Sequence, residues 1–257
     1  MKLLPLLLAG ATLATTAITA QAEVRFGIMN ESYPPFFAKD ASGEWQGWEI
    51  DLMNAVCEQM KEKCSIVEVS WDGLIPALQS KKFDVVWSSM SNTAERSKVI
   101  DFTDRYYNTP STLIGPKDQN LGATANDVKD KTIGIQVSTI QSEYYKKYFA
   151  DVADEKTYQT LDEAFQDLAA GRIDYVFGDS LALDAFLKSD AGKDCCVKMG
   201  DVADDKEILG AGVSGGLRKE DSELKAKLNA AIAAVRASGK YGEITKKYFA
   251  FDIYGTN

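Results

Sequence analysis

Short apolar runs alternate with longer amphipathic stretches along most of the chain. Residues 24–28 (VRFGI) have the character of a strand, and residues 50–62 carry apolar side chains at helical spacing. The pattern continues to the carboxyl end, where residues 224–235 predict a helix that Gly239 ends. Strands that alternate with helices in this way predict an α/β fold.

Two segments 90 residues apart repeat one pattern. Leu78 to Ser89 (LQSKKFDVVWSS) and Leu168 to Asp179 (LAAGRIDYVFGD) each predict a helix end, a tight turn and a buried strand. A second echo sets residues 26–28 (FGI) beside residues 133–135 (IGI). We interpret the echoes as a structural duplication into two lobes. Side chains that follow the carboxyl ends of the strands would then face a cleft between them.

The first 22 residues have the layout of an export signal. A basic start at Lys2 precedes an apolar run and then small residues up to Ala22. Threonines interrupt the second half of the run, which a membrane anchor of about 20 apolar residues would not tolerate. We expect cleavage after Ala22 and a periplasmic location.

Composition removes several chemistries. The chain has no histidine, so imidazole is not available as a general base, a proton shuttle or a metal ligand. There are 29 Lys and Arg residues against 38 Asp and Glu residues, a net charge of -9. A nucleic-acid or anionic-membrane surface would need a local basic patch, and the sequence shows none. We expect no metal and no cofactor.

Export exposes the four cysteines to an oxidising compartment. Cys57 and Cys64 stand where a helix gives way to a strand, and we expect them to form a disulfide bond. For the adjacent residues Cys195 and Cys196, free thiols and a strained vicinal disulfide both remain open.

Two polar features follow the predicted strand ends. The segment Ser88 to Arg96 places hydroxyls after a buried strand and ends in a guanidinium, whose planar fork matches a carboxylate. The alternative is a helix cap followed by a solvated arginine. Asp179 follows the second strand, where it would hold an ammonium group or simply cap the next helix.

Two aromatic side chains and one loop complete the candidates. Tyr33 and Trp71 lie near turn signals, and their rings suit a planar or cationic partner, although isolated aromatics are more often part of a core. Residues 134–141 (GIQVSTIQ) would offer backbone N–H groups to an anion at the start of a helix. They lack a glycine-rich phosphate motif.

With these residues in view, the chain resembles the periplasmic solute-binding proteins of polar amino-acid ABC importers, in particular the group that binds lysine, arginine, ornithine or histidine. The resemblance runs from about Val24 to Tyr254. The motifs that carry it are residues 33–36 (YPPF), 47–52 (GWEIDL), 71–78 (WDGLIPAL), 88–96 (SSMSNTAER), 101–103 (DFT), 170–174 (AGRID) and 217–221 (LRKED).

The resemblance implies a bilobal Venus-flytrap fold, in which two open α/β sheets are joined by two hinge strands. The first lobe would comprise residues 23–108 and 211–257, and the second lobe residues 109–210. The hinges would fall near residues 107–111 and 206–212, and closure about them would bury the ligand.

The resemblance also implies roles for individual residues. Arg96 would bind the ligand's α-carboxylate with Ser91 and with backbone N–H groups at Thr139 and Ile140. Asp179, with Ser89, would receive the α-ammonium group. Four further residues would surround the ligand's side chain: Tyr33, Trp71, Ser88 and Gln141.

The chain departs from the family's pattern in its adjacent cysteines, Cys195 and Cys196, and at three other places. One extra residue before Tyr33 leaves the acidic residue that contacts a cationic side chain ambiguous between Asn30 and Glu31. Ile140 stands where threonine is usual, and Glu49 where aspartate is common.

The function that this resemblance implies is a monomeric receptor, without enzymatic activity or a nucleic-acid partner. It would bind a cationic amino acid (arginine, ornithine, lysine or histidine), or a derivative such as an opine. It would deliver that ligand to an inner-membrane ABC permease complex. The alternatives are a periplasmic enzyme on the same fold, similar to cyclohexadienyl dehydratase with Glu31 as general acid, and a receptor that serves a chemosensory partner.

Overall fold

The computed structural model describes residues 23–119 and 122–255. The expected signal peptide, residues 1–22, lies outside the described residues. The strands are β1 (Glu23–Met29), β2 (Ala38–Lys39), β3 (Trp45–Gln46), β4 (Lys63–Val69), β5 (Val85–Val86), β6 (Asp101–Tyr107), β7 (Ser111–Pro116), β8 (Thr132–Gln136), β9 (Asp154–Tyr158), β10 (Tyr175–Asp179), β11 (Cys196–Asp201) and β12 (Val213–Leu217).

Helices alternate with these strands, as the sequence pattern predicts. They are α1 (Trp48–Met60), α2 (Leu74–Gln79), α3 (Ile140–Tyr148), α4 (Leu161–Ala169), α5 (Ser180–Leu187), α6 (Asp190–Cys195), α7 (Lys206–Leu209), α8 (Ser222–Ala237) and α9 (Lys240–Tyr248). Two short 3-10 turns, Trp71–Gly73 and Arg96–Lys98, complete the elements that bear on the site.

Two five-stranded sheets form the framework, in the orders β4-β1-β5-β12-β6 and β9-β8-β10-β7-β11. In the first sheet β1 runs parallel to β4 and β5, whereas β12 is antiparallel to β5 and β6. In the second sheet β8 runs parallel to β9 and β10, and β7 is antiparallel to β10 and β11. The two sheets therefore share one topology, as the sequence echoes suggest.

The echoed residues make equivalent contacts in the two sheets. A Cβ built on Gly27 would lie 2.4 Å from the Phe83 ring, and one on Gly134 would lie 2.6 Å from Cδ1 of Ile173. Both glycines are therefore required by close approach of the side chain that ends the preceding turn. The Asp84 carboxylate likewise accepts the backbone N–H of Arg25 at 3.1 Å.

We call the unit built on the first sheet the first lobe and the unit built on the second sheet the second lobe. The chain crosses from β6 to β7 and returns from β11 to β12. Helices α8 and α9 pack on α1 of the first lobe, where the Trp48 indole donates a hydrogen bond of 3.1 Å to Thr245. The predicted bilobal α/β fold is confirmed, and the residue boundaries given above stay a prediction.

Both cysteine pairs are disulfide-bonded. Cys57 in α1 is joined to Cys64 in β4, as predicted. Cys195 and Cys196, which the sequence left open, form a vicinal disulfide. Across residues 23–119 and 122–255, none of the helices has the length and apolar character needed to cross a membrane.

Candidate functional site

A cavity of ≈ 490 Å³ lies between the lobes, at the carboxyl ends of the central strands. Both lobes and both crossing segments line it. Ten residues for which the sequence predicts a ligand contact line it: Tyr33, Trp71, Ser88, Ser89, Ser91, Arg96, Thr139, Ile140, Gln141 and Asp179. Asn30 and Glu31, the two candidates for contact with a cationic side chain, are not among its lining residues.

Besides Arg105, the guanidinium of Arg96 lines the first-lobe wall of this cavity. It donates to the backbone carbonyls of Ser91 at 3.0 Å and Ser138 at 3.1 Å, and it lies 5.4 Å from the centre of the Trp71 ring. Within the described residues it forms no ion pair with a carboxylate. Burial lowers the pKa of Arg96 to about 10, which leaves a desolvated positive charge that an anion would stabilise. Arg96 is half-buried and lines the cavity, and its binding of a carboxylate stays a prediction.

The amino-terminal end of α3 lies beside Arg96. The hydrogen bond from Arg96 to the Ser138 carbonyl holds the guanidinium next to the residues that precede α3. The Thr139 hydroxyl caps the helix by accepting the N–H of Ser142 at 3.2 Å. The first backbone N–H groups of a helix have no partner within it. Arg96 and this helix end therefore present hydrogen-bond donors to one end of the cavity.

Asp179 caps a helix, as one of the two sequence interpretations has it, and it also lines the cavity; that it holds an ammonium group stays a prediction. One carboxylate oxygen accepts the N–H groups of Leu181 at 2.9 Å and Ala182 at 3.3 Å, at the start of α5. The Thr109 hydroxyl donates to the other oxygen. Burial raises the pKa of Asp179. No ion pair satisfies this carboxylate anywhere in the described part of the chain, so a cation would be favoured beside it.

Serines complete the first-lobe wall after β5. The Ser88 hydroxyl accepts the N–H of Met29 at 2.9 Å. Ser89 donates its N–H at 2.9 Å and its hydroxyl at 2.7 Å to the carboxylate of Glu49, which also accepts the Tyr106 hydroxyl. Glu49 is fully buried, and burial raises its pKa. In the sequence Glu49 is only a departure from the family's pattern, and nothing there indicates its contact with Ser89.

The two predicted rings line the cavity while packing against the first lobe. Tyr33 stacks on Phe36 and Phe37, with ring centres 5.7 Å and 5.8 Å apart. Burial raises the pKa of the Tyr33 hydroxyl well above its usual value. Trp71 contacts Arg96 through its face, and its buried indole N–H has no hydrogen-bond partner among the described residues. Each ring thus packs against the first lobe on one side and lines the cavity on the other.

The structure separates the two candidates for the side-chain contact. Neither residue lines the cavity, but Asn30 is exposed, whereas Glu31 is half-buried and contacts the second lobe. The Gln136 amide, which does line the cavity, donates to the Glu31 carboxylate at 3.3 Å. Burial first, and repulsion by Asp72 second, raise the pKa of Glu31.

Sequence reasoning missed the lining residues of the two crossing segments. Arg105, Asn108, Thr109 and Ser111 come from the first crossing, and Asp204, Lys206, Gly210 and Ala211 from the second. No periodic apolar pattern marks these segments. The only signal for them was the hinge placement that the family resemblance implies.

The cavity therefore has two chemically opposite ends. Arg96 and the start of α3 supply donors and positive charge, and Asp179 with the Glu49-bound Ser89 supplies acceptors and negative charge. An α-amino acid carries a carboxylate and an ammonium group, which match these ends. Neither group would be buried favourably without a fixed partner.

Comparisons with known proteins agree with this geometry. The model of the bacterial extracellular solute-binding proteins, family 3, matches residues 24–251. The L-arginine-binding protein of Pseudomonas aeruginosa is 43% identical over 100% of both chains, and the histidine-binding periplasmic protein of Salmonella typhimurium is 40% identical over 98% of this chain and 96% of that one. A solved ancestral arginine-binding protein bound to arginine has a TM-score of 0.80 at 32% identity, covering 89% of this chain and 98% of its own.

Proposed function

The chain belongs to family 3 of the bacterial extracellular solute-binding proteins, and on that premise we propose that its cleft binds a cationic L-amino acid for import. Its relatives are periplasmic binding proteins for arginine, histidine, or lysine, arginine and ornithine. The ligand is arginine, ornithine, lysine or histidine, or a derivative such as an opine. The receptor is a periplasmic monomer that delivers this ligand to an inner-membrane ABC permease.

The polarity of the cavity is the observation that carries the proposal. Its oppositely charged groups, Arg96 and Asp179, both lack an ion-pair partner within the described residues, and both line one cavity. A bound zwitterion would supply both partners at once. The head group is therefore recognised by fixed charges and hydrogen bonds, and no proton transfer is needed, so we propose binding without catalysis.

A cationic side chain is favoured by the acidic surroundings of Glu31. Its carboxylate lies at the cleft beside Gln136, and the repulsion from Asp72 that raises its pKa shows that a second negative charge is near. A guanidinium or ammonium group placed there would relieve that repulsion. The faces of Tyr33 and Trp71 would stabilise the same cation.

Isothermal titration calorimetry on the purified protein tests the proposal with arginine, ornithine, lysine, histidine and an opine. We expect tight binding of at least one of them, and a loss of affinity of about 100-fold or more in Arg96→Ala, because the buried ligand carboxylate loses its counterion. Arg172→Ala is the matched control, since Arg172 is exposed, lies outside the cavity and pairs with Asp167. Absence of binding across the panel would contradict the proposed ligand class.

A further inference from the structure

A buried carboxylate lies directly behind the acceptor end of the cavity. Glu49 occupies the first turn of α1 and has no exposed surface. It forms no ion pair within residues 23–119 and 122–255. Three donors converge on it instead: the N–H and hydroxyl of Ser89 and the hydroxyl of Tyr106.

This carboxylate fixes the backbone of Ser89. Ser89 has a φ of 54°, in the left-handed region that side-chain-bearing residues seldom adopt. Its N–H donates to Oε1 of Glu49 at 2.9 Å and its hydroxyl donates to Oε2 at 2.7 Å. One carboxylate thus holds the residue at two points, which offsets the cost of the unusual conformation.

It also decides what the Ser89 hydroxyl offers to a ligand. A serine hydroxyl has one hydrogen to donate and lone pairs to accept. Because the hydrogen is directed to Glu49, Oγ has only acceptor capacity left for the cavity that Ser89 lines. An acceptor suits an ammonium group and disfavours a carboxylate.

We propose that Glu49 is a positioning residue for ligand binding, which orients the Ser89 hydroxyl as an acceptor for the α-ammonium group. This inference rests on the proposed function, because it assigns the ammonium end of the same site. Asp179 contacts the ammonium group directly, whereas Glu49 acts through Ser89. Each lobe therefore contributes one carboxylate to the surroundings of the same ligand group.

The substitution Glu49→Gln reverses one hydrogen bond while keeping the shape of the side chain. The amide oxygen can replace Oε1 and still accept from Ser89 and Tyr106. The amide NH2 group then faces the Ser89 Oγ and donates to it. The Ser89 hydrogen must turn away from residue 49, and the hydroxyl can then meet the ligand's ammonium group as a second donor.

Calorimetry with L-arginine and with its deamino analogue, 5-guanidinopentanoate, tests this. In Glu49→Gln we expect the affinity for arginine to fall about 10- to 100-fold, the size of a lost hydrogen bond to a charged group. The affinity for the analogue, which has no α-ammonium group, should change by less than about threefold. Glu44→Gln, at an exposed position outside the cavity, is the control for the removal of one acidic charge.

A double variant gives a second readout that a purely structural role would not produce. Ser89→Ala alone should weaken arginine binding, because an acceptor is lost. Added to Glu49→Gln, the same change should restore part of the affinity, because it removes the reversed donor. We therefore expect Ser89→Ala to lower the affinity for arginine in the wild-type background and to raise it in the Glu49→Gln background. Equal losses for arginine and the analogue, or a loss from Ser89→Ala in both backgrounds, would overturn the inference.

Failure of the proposed function would be seen separately, as a wild-type protein that binds none of the amino acids. The orientation of the hydroxyl can then be measured without ligand. A neutron structure of the wild-type protein should show the Ser89 deuteron directed at Glu49. A deuteron directed into the cavity would overturn the inference whatever the ligand is.

Discussion

The ends of strands β5 and β10 hold equivalent places in the two lobes, yet they differ in chemistry. Up to the strand itself the two lobes agree: Gly27 faces Phe83 as Gly134 faces Ile173, at the same point of the same topology. At the next residues the agreement ends. The first lobe continues into Ser89, and the second lobe into Asp179.

The difference shows how two sheets of the same topology can form a cavity whose two walls differ in charge. Asp179 carries its own charge to the cavity and is held by the N–H groups at the start of α5. Ser89 carries none and obtains its polarity from Glu49, which α1 supplies from behind. The residues that pack the two sheets are thus constrained to be alike, whereas the residues at the carboxyl ends of these strands differ between the lobes.

The largest effect should separate the two strand ends. Asp179→Asn keeps a side chain that can cap α5 but removes the charge facing the ligand's ammonium group. We expect a loss of affinity for arginine of about 100- to 1,000-fold, measured by calorimetry. Ser89→Ala removes one acceptor and should cost about tenfold. Equal losses in the two variants would mean that the strand ends contribute alike.

A smaller effect, on stability, should appear at the glycines that occupy equivalent places in the two sheets. In Gly27→Ala the new methyl group would meet three atoms of the buried Phe83 ring at 2.4 to 2.5 Å, and we expect a loss of about 3 kcal/mol in the free energy of unfolding. Gly134→Ala should cost less, because its nearest neighbour is the end of the flexible Ile173 side chain.

Urea denaturation of both variants measures this difference. Gly242→Ala, where an added Cβ meets nothing within 4 Å, is the control. Combining Gly27→Ala with Phe83→Leu should recover part of the lost stability. A larger loss of stability in Gly134→Ala than in Gly27→Ala would contradict the expectation that the rigid Phe83 ring makes the first-lobe contact the less tolerant one.

The disulfides offer a third contrast between the lobes. The bond from Cys57 to Cys64 closes a loop with a sequence separation of 7 and joins α1 to β4. Replacing both residues with serine should lower the free energy of unfolding by about 2 kcal/mol, chiefly through the entropy of the unfolded chain. The serine variant of Cys195 and Cys196 should lose less, because neighbours in sequence close no such loop. Denaturation curves that rank the two pairs in the opposite order would contradict this.

The smallest effect concerns pH and Glu31. Its pKa is raised in the empty cleft, and a bound cation would lower it, so binding would release protons. The affinity for arginine should therefore be full above the raised pKa and fall as the pH drops through it. Glu31→Gln should weaken arginine binding by about tenfold at neutral pH and flatten the acid limb of the pH profile. If the pH profile of Glu31→Gln were the same as that of the wild-type protein, Glu31 would not contact the ligand's side chain.

The sequence predicts the frame well because packing leaves a periodic signal. The helix expected at residues 50–62 is α1, at Trp48–Met60, and the run from Val24 lies in β1. The echo of residues 78–89 and 168–179 corresponds to two equivalent helix, turn and strand units.

The rest of the site leaves no such signal. Glu49 resembles any acidic residue in the first turn of a helix, where it suits the helix dipole, and only the fold shows that it meets Ser89. Asn30 and Glu31 are neighbours in a loop, and one added residue is enough to make their alignment ambiguous. The lining residues of the crossings, such as Thr109, follow no apolar period and depend on how the two lobes meet.

Hydrogen bonds from Arg96 to the carbonyl of Ser138 and from Gln136 to Glu31 span the cleft. Each would shift the balance between open and closed receptors by about fivefold if it contributes about 1 kcal/mol. Part of the closing energy would then belong to the protein itself, and the receptor would sample the closed shape before a ligand binds. The measured affinity becomes a product of intrinsic contacts and of the fraction already closed, so a substitution at Gln136 would tune affinity without altering any contact with the head group.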